Sequence, residues 1–261
     1  MRRALVDAAL IAYEDAGLSG LCAEGRWEAA VDAMRRLDLA AVAPPATELD
    51  ATVARVVAAV ARASAPPPSG GSVAAAVGAL AAALTQMVAG LTAGRPRYAT
   101  VAAEMRAIAH RGAALTAELL TLVRRDAAAV DAVAAAYRLP KATEQERSLR
   151  ANTIEHTMRS ATDAPLDIAR ASASVADLAA TVAERGNTNA VADAAVAALL
   201  AEAVCRAAAL TVRVNVPALR DAAAARDIER EVSAFAGAAA QAAGRAAAVV
   251  ERVAGPSGGG T

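Results

Sequence analysis

Hydrophobic and polar positions recur at helical spacing along most of this chain. Val53, Val56, Val57 and Val60, for example, occupy the i, i+3, i+4 and i+7 positions that share one face of an α-helix. Breaks rich in Pro, Gly and Asn separate such segments, and helices end at breaks of this kind. The pattern predicts an all-α protein, an up-and-down helical bundle of long Ala-rich helices with a short N-terminal helical pair.

The breaks also set the predicted ends of the helices. Thr143 and Glu146 have the spacing of a capping box, and Gly186 with Asn187 forms a strong stop. Pro165 is expected to kink or restart its helix, because proline lacks the backbone N–H that a helix interior needs. Helices are predicted at about residues 2–16, 26–39, 48–65, 72–94, 97–125, 126–137, 144–185, 190–214 and 218–253.

Proline pairs and a glycine-rich end divide the chain. Pro44 and Pro45 fit a linker better than a connection inside a core, so residues 1–46 are interpreted as an N-terminal helical extension. Residues 47–253 are predicted to form the main helical domain. Residues 254–261 are predicted to form a flexible tail.

Composition strengthens the helical interpretation. Hydrophobic residues are 56% of the chain and aromatic residues only 2%, so alanine and valine supply most of the apolar surface. Alanine has the best helix propensity of all residues. The uncharged run at residues 72–94 is long enough for a membrane span, but it consists mostly of Ala and Gly. We expect it to be the central helix of a soluble bundle and not a membrane segment.

Charge and cysteine usage limit the classes of function. The 27 Lys and Arg balance the 27 Asp and Glu, which gives no support for nucleic acid or an anionic membrane as a partner. Cys22 and Cys205 fit neither a disulfide framework nor a metal-ligand spacing. Both are expected to be reduced and buried, which favours a cytoplasmic location. His110 and His156 are isolated, so no metal site is predicted.

The candidate chemistry lies at the helix breaks. Gly70, Gly71 and Ser72 precede a long helix, where backbone N–H groups can bind an anion or a carbonyl, although a simple turn and cap also explains them. Asp126 and Lys141 can act as base and acid if one cleft brings them together. The alternative for these two residues is a solvated surface pair.

Three further polar residues stand at breaks. Asn187 and Asp193 surround one helix start, and Asn215 interrupts an apolar run. Each of these side chains can cap a helix or bind a ligand. No nucleotide-binding, hydrolase-elbow or metallohydrolase motif accompanies them.

Several of these breaks match, in order, the motifs of one enzyme family. The matching segments are PPPSGGSVAA at 66–75, DAAAVDAVAAAYRLPK at 126–141 with Glu146 and Arg150, APL at 164–166, GNTNAVADA at 186–194 and TVRVN at 211–215. They resemble the P-x-P-G-G-G-S-x-A-A, D…A-x-x-L-P-K…E…R, Pro-Leu, N…D-A and N-V-x-x-N elements of the formiminotetrahydrofolate cyclodeaminase/methenyltetrahydrofolate cyclohydrolase family. The resemblance covers about residues 49–250.

This resemblance implies an all-helical homodimer that acts on folate one-carbon units without a metal, with a tetrahydrofolate derivative as its small-molecule substrate. From the matched positions and the chemistry, we expect Asp126 to be the acid or base. Lys141 is expected to be its electrostatic partner or proton donor. The expected substrate-binding residues are Gly70, Gly71, Ser72, Asn187, Asp193 and Asn215.

Two reactions at the 5,10-methenyl bridge of tetrahydrofolate fit the resemblance. In the cyclohydrolase, water opens the bridge to give 10-formyltetrahydrofolate. In the cyclodeaminase, N10 attacks a 5-formimino carbon and ammonia leaves. No formiminotransferase region accompanies the domain in this sequence, which favours the cyclohydrolase.

Departures from the family pattern keep two alternatives open. Ser69 stands where the family usually has its first glycine, Thr211 stands where its last element opens with Asn, and residues 1–46 have no counterpart. One alternative is a noncatalytic helical protein that binds folate or a partner protein. The other is the same fold acting on another formimino or cyclic amidine compound.

Overall fold

A computed structural model describes residues 2–36, 48–62 and 69–255. These residues form eight α-helices and no strand, so the predicted all-α fold is confirmed. The helices are α1 (Arg2–Leu18), α2 (Ala23–Arg36), α3 (Glu48–Ala61), α4 (Gly70–Ala93), α5 (Ala102–Tyr137), α6 (Glu144–Arg185), α7 (Val191–Asn215) and α8 (Ala222–Ala254). Short 3₁₀ turns occur at Pro96–Val101, Thr188–Ala190 and Val216–Ala218.

The chain forms two compact units, Met1–Ala63 and Ser64–Thr261. In the first unit, α1 packs against α2, and the Arg26 guanidinium lies 4.1 Å from the centre of the Tyr13 ring. The predicted boundary at residue 46 falls in residues 37–47, outside the described part of the chain. The predicted division into an extension and a main domain stays a prediction.

The second unit is an up-and-down arrangement of α4 to α8. Ser72 at the start of α4 contacts Asp126 in α5, while Glu104 at the start of α5 pairs with Arg185 at the end of α6. Each of these helices therefore runs antiparallel to the one before it. The N-terminal end of α4 and the C-terminal end of α7 consequently lie at the same end of the bundle.

Small side chains fill the core between these helices. Alanines dominate its fully buried positions, and Met105, Leu115, Leu119 and Ile168 are the largest side chains there. Gly112 of α5 faces α4 so closely that an added Cβ would lie 3.3 Å from the Ala82 carbonyl oxygen. The core therefore depends on close backbone approach instead of large interlocking side chains.

Helix α5 passes through Asp126 without a break, so the predicted helix boundary at residues 125–126 was wrong. Leu115, Leu119, Leu122, Asp126 and Ala129 follow one another at intervals of four and three residues and are all buried. This spacing keeps them on one face of a single helix. Neither Gly nor Pro occurs near Asp126 to end the helix, and the carboxylate takes a core position.

Helix α6 likewise continues through Pro165, and the predicted restart does not occur. Pro165 cannot donate the hydrogen bond that the carbonyl of Ala161 would accept in a regular helix. The side-chain amide of Asn215, at the end of α7, donates to that carbonyl at 2.8 Å. The predicted capping box at the start of α6 is confirmed, with reciprocal bonds of 3.1 and 3.0 Å between Thr143 and Glu146.

The two cysteines differ from each other. Cys205 is fully buried, and burial raises the pKa of its thiol to about 12, so it stays protonated and packs as an apolar side chain. Cys22 is exposed, so the expectation that both cysteines are buried was wrong for it. It lies in the short connection between α1 and α2.

Two segments pass the length and composition test for a membrane span. They are Gly70–Ala93 and Thr188–Ala218, each with a mean hydropathy of 1.8. About half of each is buried inside the bundle, 44% and 50% respectively. The core helix of a soluble protein has the same length and hydropathy, so these two properties are weak evidence for a membrane segment.

Replacing Ser172 by Ala should stabilise the protein. The Ser172 hydroxyl in α6 is fully buried, and no described residue is its hydrogen-bond partner. Removing an unpaired buried hydroxyl should raise the free energy of unfolding by about 1 kcal/mol, measured by denaturant titration. Ser174→Ala is the matched control, because Ser174 is only half-buried on the same helix and its hydroxyl has a partner in the Arg170 carbonyl, so its change should not be stabilising and should stay within about 0.5 kcal/mol. A less stable Ser172→Ala protein would contradict the prediction.

Candidate active site

A cavity of about 220 Å³ lies where α4 begins and α7 ends. Helices α5 and α6 form its other walls. Its lining residues are Ser69, Gly70, Gly71, Asp126, Ala129, Val130, Val133, Met158, Ala161, Thr211 and Asn215. Asp126 is the charged residue of this set, and the set combines a few polar groups with an apolar wall, as small-molecule sites commonly do.

The carboxylate of Asp126 is held against the start of α4. Its Oδ2 atom accepts hydrogen bonds from the hydroxyls of Ser69 and Ser72, the latter at 2.9 Å. The Asp126 residue is only 4% exposed. A buried carboxylate needs such donors, since an ion without partners is costly to bury. These contacts fix the carboxylate at the cavity wall.

Gly71 lets the carboxylate approach the helix backbone. A Cβ added at Gly71 would lie 2.3 Å from Oδ1 of Asp126, far inside contact distance. A Cβ added at Gly70 would meet no atom within 4 Å, because Gly70 borders the open cavity. Of the two adjacent glycines, Gly71 is therefore required by packing around Asp126 and Gly70 is not.

The start of α4 supplies backbone donors. The Ser69 hydroxyl accepts a hydrogen bond from the backbone N–H of Ser72 at 3.1 Å and so caps the helix. No described residue accepts a hydrogen bond from the N–H of Gly70 or Gly71. Free N–H groups at a helix N-terminus carry partial positive charge and bind oxygen atoms.

Asn215 approaches the cavity from α7. Its Nδ2 atom is committed to the carbonyl of Ala161, and no described residue donates to its Oδ1 atom. Thr211, one helical turn earlier, also lines the cavity. The predicted residues Gly70, Gly71, Ser72, Asp126 and Asn215 therefore lie together, with Ser72 behind Asp126 and not in the cavity wall.

Lys141 does not lie beside Asp126 of its own chain. It is exposed in the turn between α5 and α6. Helix α5 continues for eleven residues after Asp126, about 16 Å, before that turn begins. A lysine side chain does not span that distance, so the predicted acid–base pair is not assembled within one chain.

Asn187 and Asp193 lie at the opposite end of the bundle. The backbone N–H of Asn187 donates to the Thr92 hydroxyl at 3.0 Å, near the C-terminal end of α4 and about 30 Å along that helix from Ser72. The side chain of Asn187 accepts from the N–H of Asn189 at 3.1 Å, which is a capping contact. Asp193 is exposed in the first turn of α7. The binding roles given to Asn187 and Asp193 stay predictions.

Tyr98 packs over the same turn as Asn187. Its hydroxyl contacts the Thr188 hydroxyl at 3.4 Å and accepts from the Thr188 N–H at 3.1 Å. These two hydrogen bonds lower the pKa of the Tyr98 phenol. The tyrosine thereby ties the turn before α7 to the start of α5.

The apolar wall of the cavity was not among the predicted site residues. It consists of Ala129, Val130, Val133, Met158 and Ala161. The signal was present, because Ala129, Val130 and Val133 stand three, four and seven residues after Asp126 and so share its helix face. These residues share a face with Asp126 only if Asp126 lies inside a helix, whereas the sequence analysis placed it at the start of one.

The described residues contain no group of three or more His, Cys, Asp and Glu side chains placed to hold a metal ion. Arg150 belongs to the motif that follows Asp126, but its side chain contacts the turn after α5 and does not line the cavity. It donates to the carbonyl of Tyr137 at 3.2 Å, and its guanidinium lies 5.5 Å from the centre of the Tyr137 ring. These contacts close the C-terminal end of α5.

The family described as formiminotransferase-cyclodeaminase matches residues 52–234, more than half of the chain. The chain belongs to this family. The match begins within α3 and ends within α8, and it contains every lining residue of the cavity.

Individual members of the family agree with this assignment. A methenyltetrahydrofolate cyclohydrolase of Methylorubrum extorquens is 43% identical over 65% of this chain and 81% of its own length. A formimidoyltransferase-cyclodeaminase of Mus musculus is 36% identical over 59% of this chain, but the match spans only 28% of the mouse protein. The predicted family and the predicted class of folate one-carbon enzyme are confirmed.

A solved structure extends the agreement to the fold. The formiminotetrahydrofolate cyclodeaminase of Thermotoga maritima superposes with a TM-score of 0.67 at 27% identity. The superposition covers 75% of this chain and 93% of the Thermotoga chain. The helical bundle is therefore the family fold.

Gly71→Ala should destabilise the protein while Gly70→Ala should not. The new Cβ at residue 71 would overlap Oδ1 of Asp126 and force the carboxylate or the helix to move, at a cost of about 1–3 kcal/mol. The new Cβ at residue 70 meets open space, and alanine favours the helix. Thermal unfolding of both variants measures the difference. Equal melting temperatures for the two would contradict the proposed packing of Asp126.

Proposed function

We propose that this chain is a methenyltetrahydrofolate cyclohydrolase, which opens the 5,10-methenyl bridge of its substrate with water. The observation that carries the proposal is the buried carboxylate of Asp126 in a cavity beside the free N–H groups of a helix start. The identity to the Methylorubrum cyclohydrolase, 43%, exceeds the 36% to the mouse cyclodeaminase, which supports hydrolysis over deamination.

The size and lining of the cavity suit the reacting part of such a substrate. About 220 Å³ is below the roughly 300–1,000 Å³ that encloses a whole drug-sized ligand. The one-carbon bridge and the adjoining ring edge would lie inside, and the rest of the substrate outside. The apolar wall, including Val130, Val133 and Met158, provides a surface against which a flat ring can pack.

Asp126 would serve as the general base. Water attacks the electron-poor amidinium carbon between N5 and N10, and Asp126 accepts one proton from that water. The hydroxyl proton of the resulting adduct moves to N5 as the carbon–N5 bond breaks and the formyl C=O forms. The products are 10-formyltetrahydrofolate and one proton, so atoms and charge balance.

The start of α4 would bind the oxygen that water contributes. Electron density grows on this oxygen as the adduct collapses to a formyl group, and the N–H groups of Gly70 and Gly71 are donors fixed in place before the reaction. Fixed dipoles of this kind lower the barrier because they need no reorganisation. Together with Asp126 they supply the chemistry without a metal ion, and we propose a metal-independent reaction.

The same site also suits the cyclodeaminase reaction. The fold of the Thermotoga cyclodeaminase, superposed with a TM-score of 0.67, favours this second candidate. In that reaction Asp126 would accept the proton of N10 as N10 attacks the protonated formimino carbon, and would return this proton to the NH2 group, which leaves as ammonia when its bond to carbon breaks. A noncatalytic folate-binding protein is a weaker alternative, because packing alone gives no reason to bury a carboxylate at a cavity wall.

Asp126→Asn should reduce turnover about a hundredfold or more, because the amide cannot accept the proton. Turnover is measured as loss of methenyltetrahydrofolate absorbance, beside ammonia release from the formimino substrate. Asp131→Asn is the matched control, since Asp131 is exposed on the same helix five residues later. Wild-type rates in the Asp126 variant would remove its role. A folded wild-type protein without turnover in either assay would remove the proposed function.

We further propose that the enzyme is a homodimer and that it works in the cytoplasm. Leu80, Met87 and Leu91 form an exposed stripe at helical spacing on α4, a helix without any charged residue. Leu199 and Leu210 of α7, which packs beside α4, are exposed as well. A continuous apolar surface of this kind is typical of an interface between subunits. Cys22 and Cys205 are both free thiols, which accords with a reducing compartment.

The position of Lys141 supports a dimer in which one chain contributes to the active site of the other. This lysine stands on the turn where α5 and α6 extend beyond Asp126, and it does not reach the carboxylate of its own chain. In a dimer with two-fold symmetry, the turn of one chain can reach the cavity of its partner. We propose that Lys141 acts there as the proton donor or electrostatic partner.

Mixed dimers test this arrangement. Asp126→Asn and Lys141→Met should each be about a hundredfold less active alone. Unfolding and refolding a mixture should restore about a quarter of wild-type activity, because half of the dimers contain both chains and each of these has one intact pair. No recovery would contradict a contribution from the partner, and a fully active Lys141→Met protein would remove the role of Lys141.

A further inference from the structure

Ser69 lies between the buried carboxylate and the cavity. Its hydroxyl contacts Oδ2 of Asp126, and the residue is half-buried and lines the cavity wall. Ser72, the second hydroxyl on the same oxygen, is 4% exposed and does not line the cavity. Of the two hydroxyls that bind Asp126, the one on Ser69 faces the space where a substrate would lie.

The hydrogen-bond inventory of Ser69 leaves one acceptor position open. A serine hydroxyl has one proton to donate and two lone pairs that accept. The proton points to Oδ2 of Asp126, and one lone pair accepts from the Ser72 N–H at 3.1 Å. The Ser72 hydroxyl lies 3.0 Å from Ser69 but has acceptors of its own in Asp126 and the Val123 carbonyl. The second lone pair of Ser69 is thus available to a water in the cavity.

Oδ1 of Asp126 is shielded from the opposite direction. It lies against the backbone of Gly71, close enough that a Cβ there would be 2.3 Å away. The other cavity-lining residues carry no charge, so they offer no second acid or base. The Ser69 hydroxyl, which lines the cavity and contacts Oδ2, therefore offers a proton from a water in the cavity a route to the carboxylate.

We infer that Ser69 is a catalytic proton relay, passing the proton of the attacking water to Asp126. The inference rests on the proposed hydrolysis and adds a second participating residue. In this step an O–H bond of water breaks and one forms on the Ser69 oxygen. At the same time the original Ser69 O–H bond breaks and one forms on Oδ2 of Asp126. Serine is unchanged overall, and the hydroxide equivalent joins the methenyl carbon.

Variants at position 69 separate the hydroxyl from the shape of the loop. Ser69→Thr keeps the hydroxyl, whereas Ser69→Gly and Ser69→Ala remove it. Glycine is nearly as good a helix N-cap as serine, so Ser69→Gly loses mainly one of the two hydroxyl donors to Asp126, and Ser72 still donates to the carboxylate. Thermal unfolding of all three variants shows which are folded before their kinetics are compared.

The relay predicts a specific kinetic pattern. Ser69→Thr should stay within about threefold of the wild-type kcat, while Ser69→Gly and Ser69→Ala should lose about ten- to a hundredfold in kcat with little change in KM. In mixtures of H2O and D2O, a plot of the wild-type rate against the deuterium fraction of the solvent should be curved, because two protons move in one step. The Ser69→Gly rate should fall linearly, because one proton moves.

Different failures have different meanings. A wild-type protein that turns over methenyltetrahydrofolate while Ser69→Gly keeps its kcat and its curved isotope dependence would overturn the relay alone. A rise in KM without a change in kcat would assign Ser69 to binding and also overturn the relay. A wild-type protein without turnover would overturn the proposed function and the relay with it.

Discussion

The contact between the Asp126 carboxylate and the first turn of α4 is the constraint on which the site depends. Two hydroxyls hold one oxygen of this carboxylate, and a residue without a side chain makes room for the other. The contact joins two helices that are antiparallel and separated in sequence by more than fifty residues. Without it a charged group at a core position of α5 would be buried with no compensation. Packing and the proposed chemistry therefore use the same hydrogen bonds.

The up-and-down order decides which breaks in the sequence meet. Helix α4 begins and α7 ends at the cavity. Helices α5 and α6 pass the cavity and are joined by a turn beyond it. Breaks separated by an odd number of helices lie at opposite ends, which is why residue 187, three helices after residue 72, stands about 30 Å from it along α4. The alanine-built core makes this order compact, since neighbouring backbones can approach closely.

Much of this architecture could be predicted from the sequence. Helical spacing, capping residues and glycine stops located nearly every helix, and the order of motifs identified the family. The boundary predicted at Asp126 was wrong because a polar residue was taken as the end of a helix, while Pro165, expected to kink or restart its helix, lies inside continuous α6. In each case a partner distant in sequence stabilises the continuous helix: Ser72 for the carboxylate, and Asn215 for the carbonyl that Pro165 leaves free.

The site was harder to predict for a related reason. Motif order shows which residues belong to the family pattern but not which end of a bundle each one occupies. Gly70, Gly71, Asp126 and Asn215 lie together, while Lys141 is on a distant turn. The apolar wall carries no distinctive residue types, so only the helix face shared with Asp126 indicates it. Tertiary contacts supply the missing information.

The Asn215 amide has a consequence for molecular recognition. Its NH2 group donates to the Ala161 carbonyl, which Pro165 leaves without a helical partner. If the amide flipped, this carbonyl would be unpaired. The carbonyl edge of the amide is therefore the edge that remains for a bound molecule. An N–H placed against this edge would find an acceptor, and a lone pair placed there would be repelled. A proline in one helix thus sets the hydrogen-bond polarity that a neighbouring helix offers to the cavity.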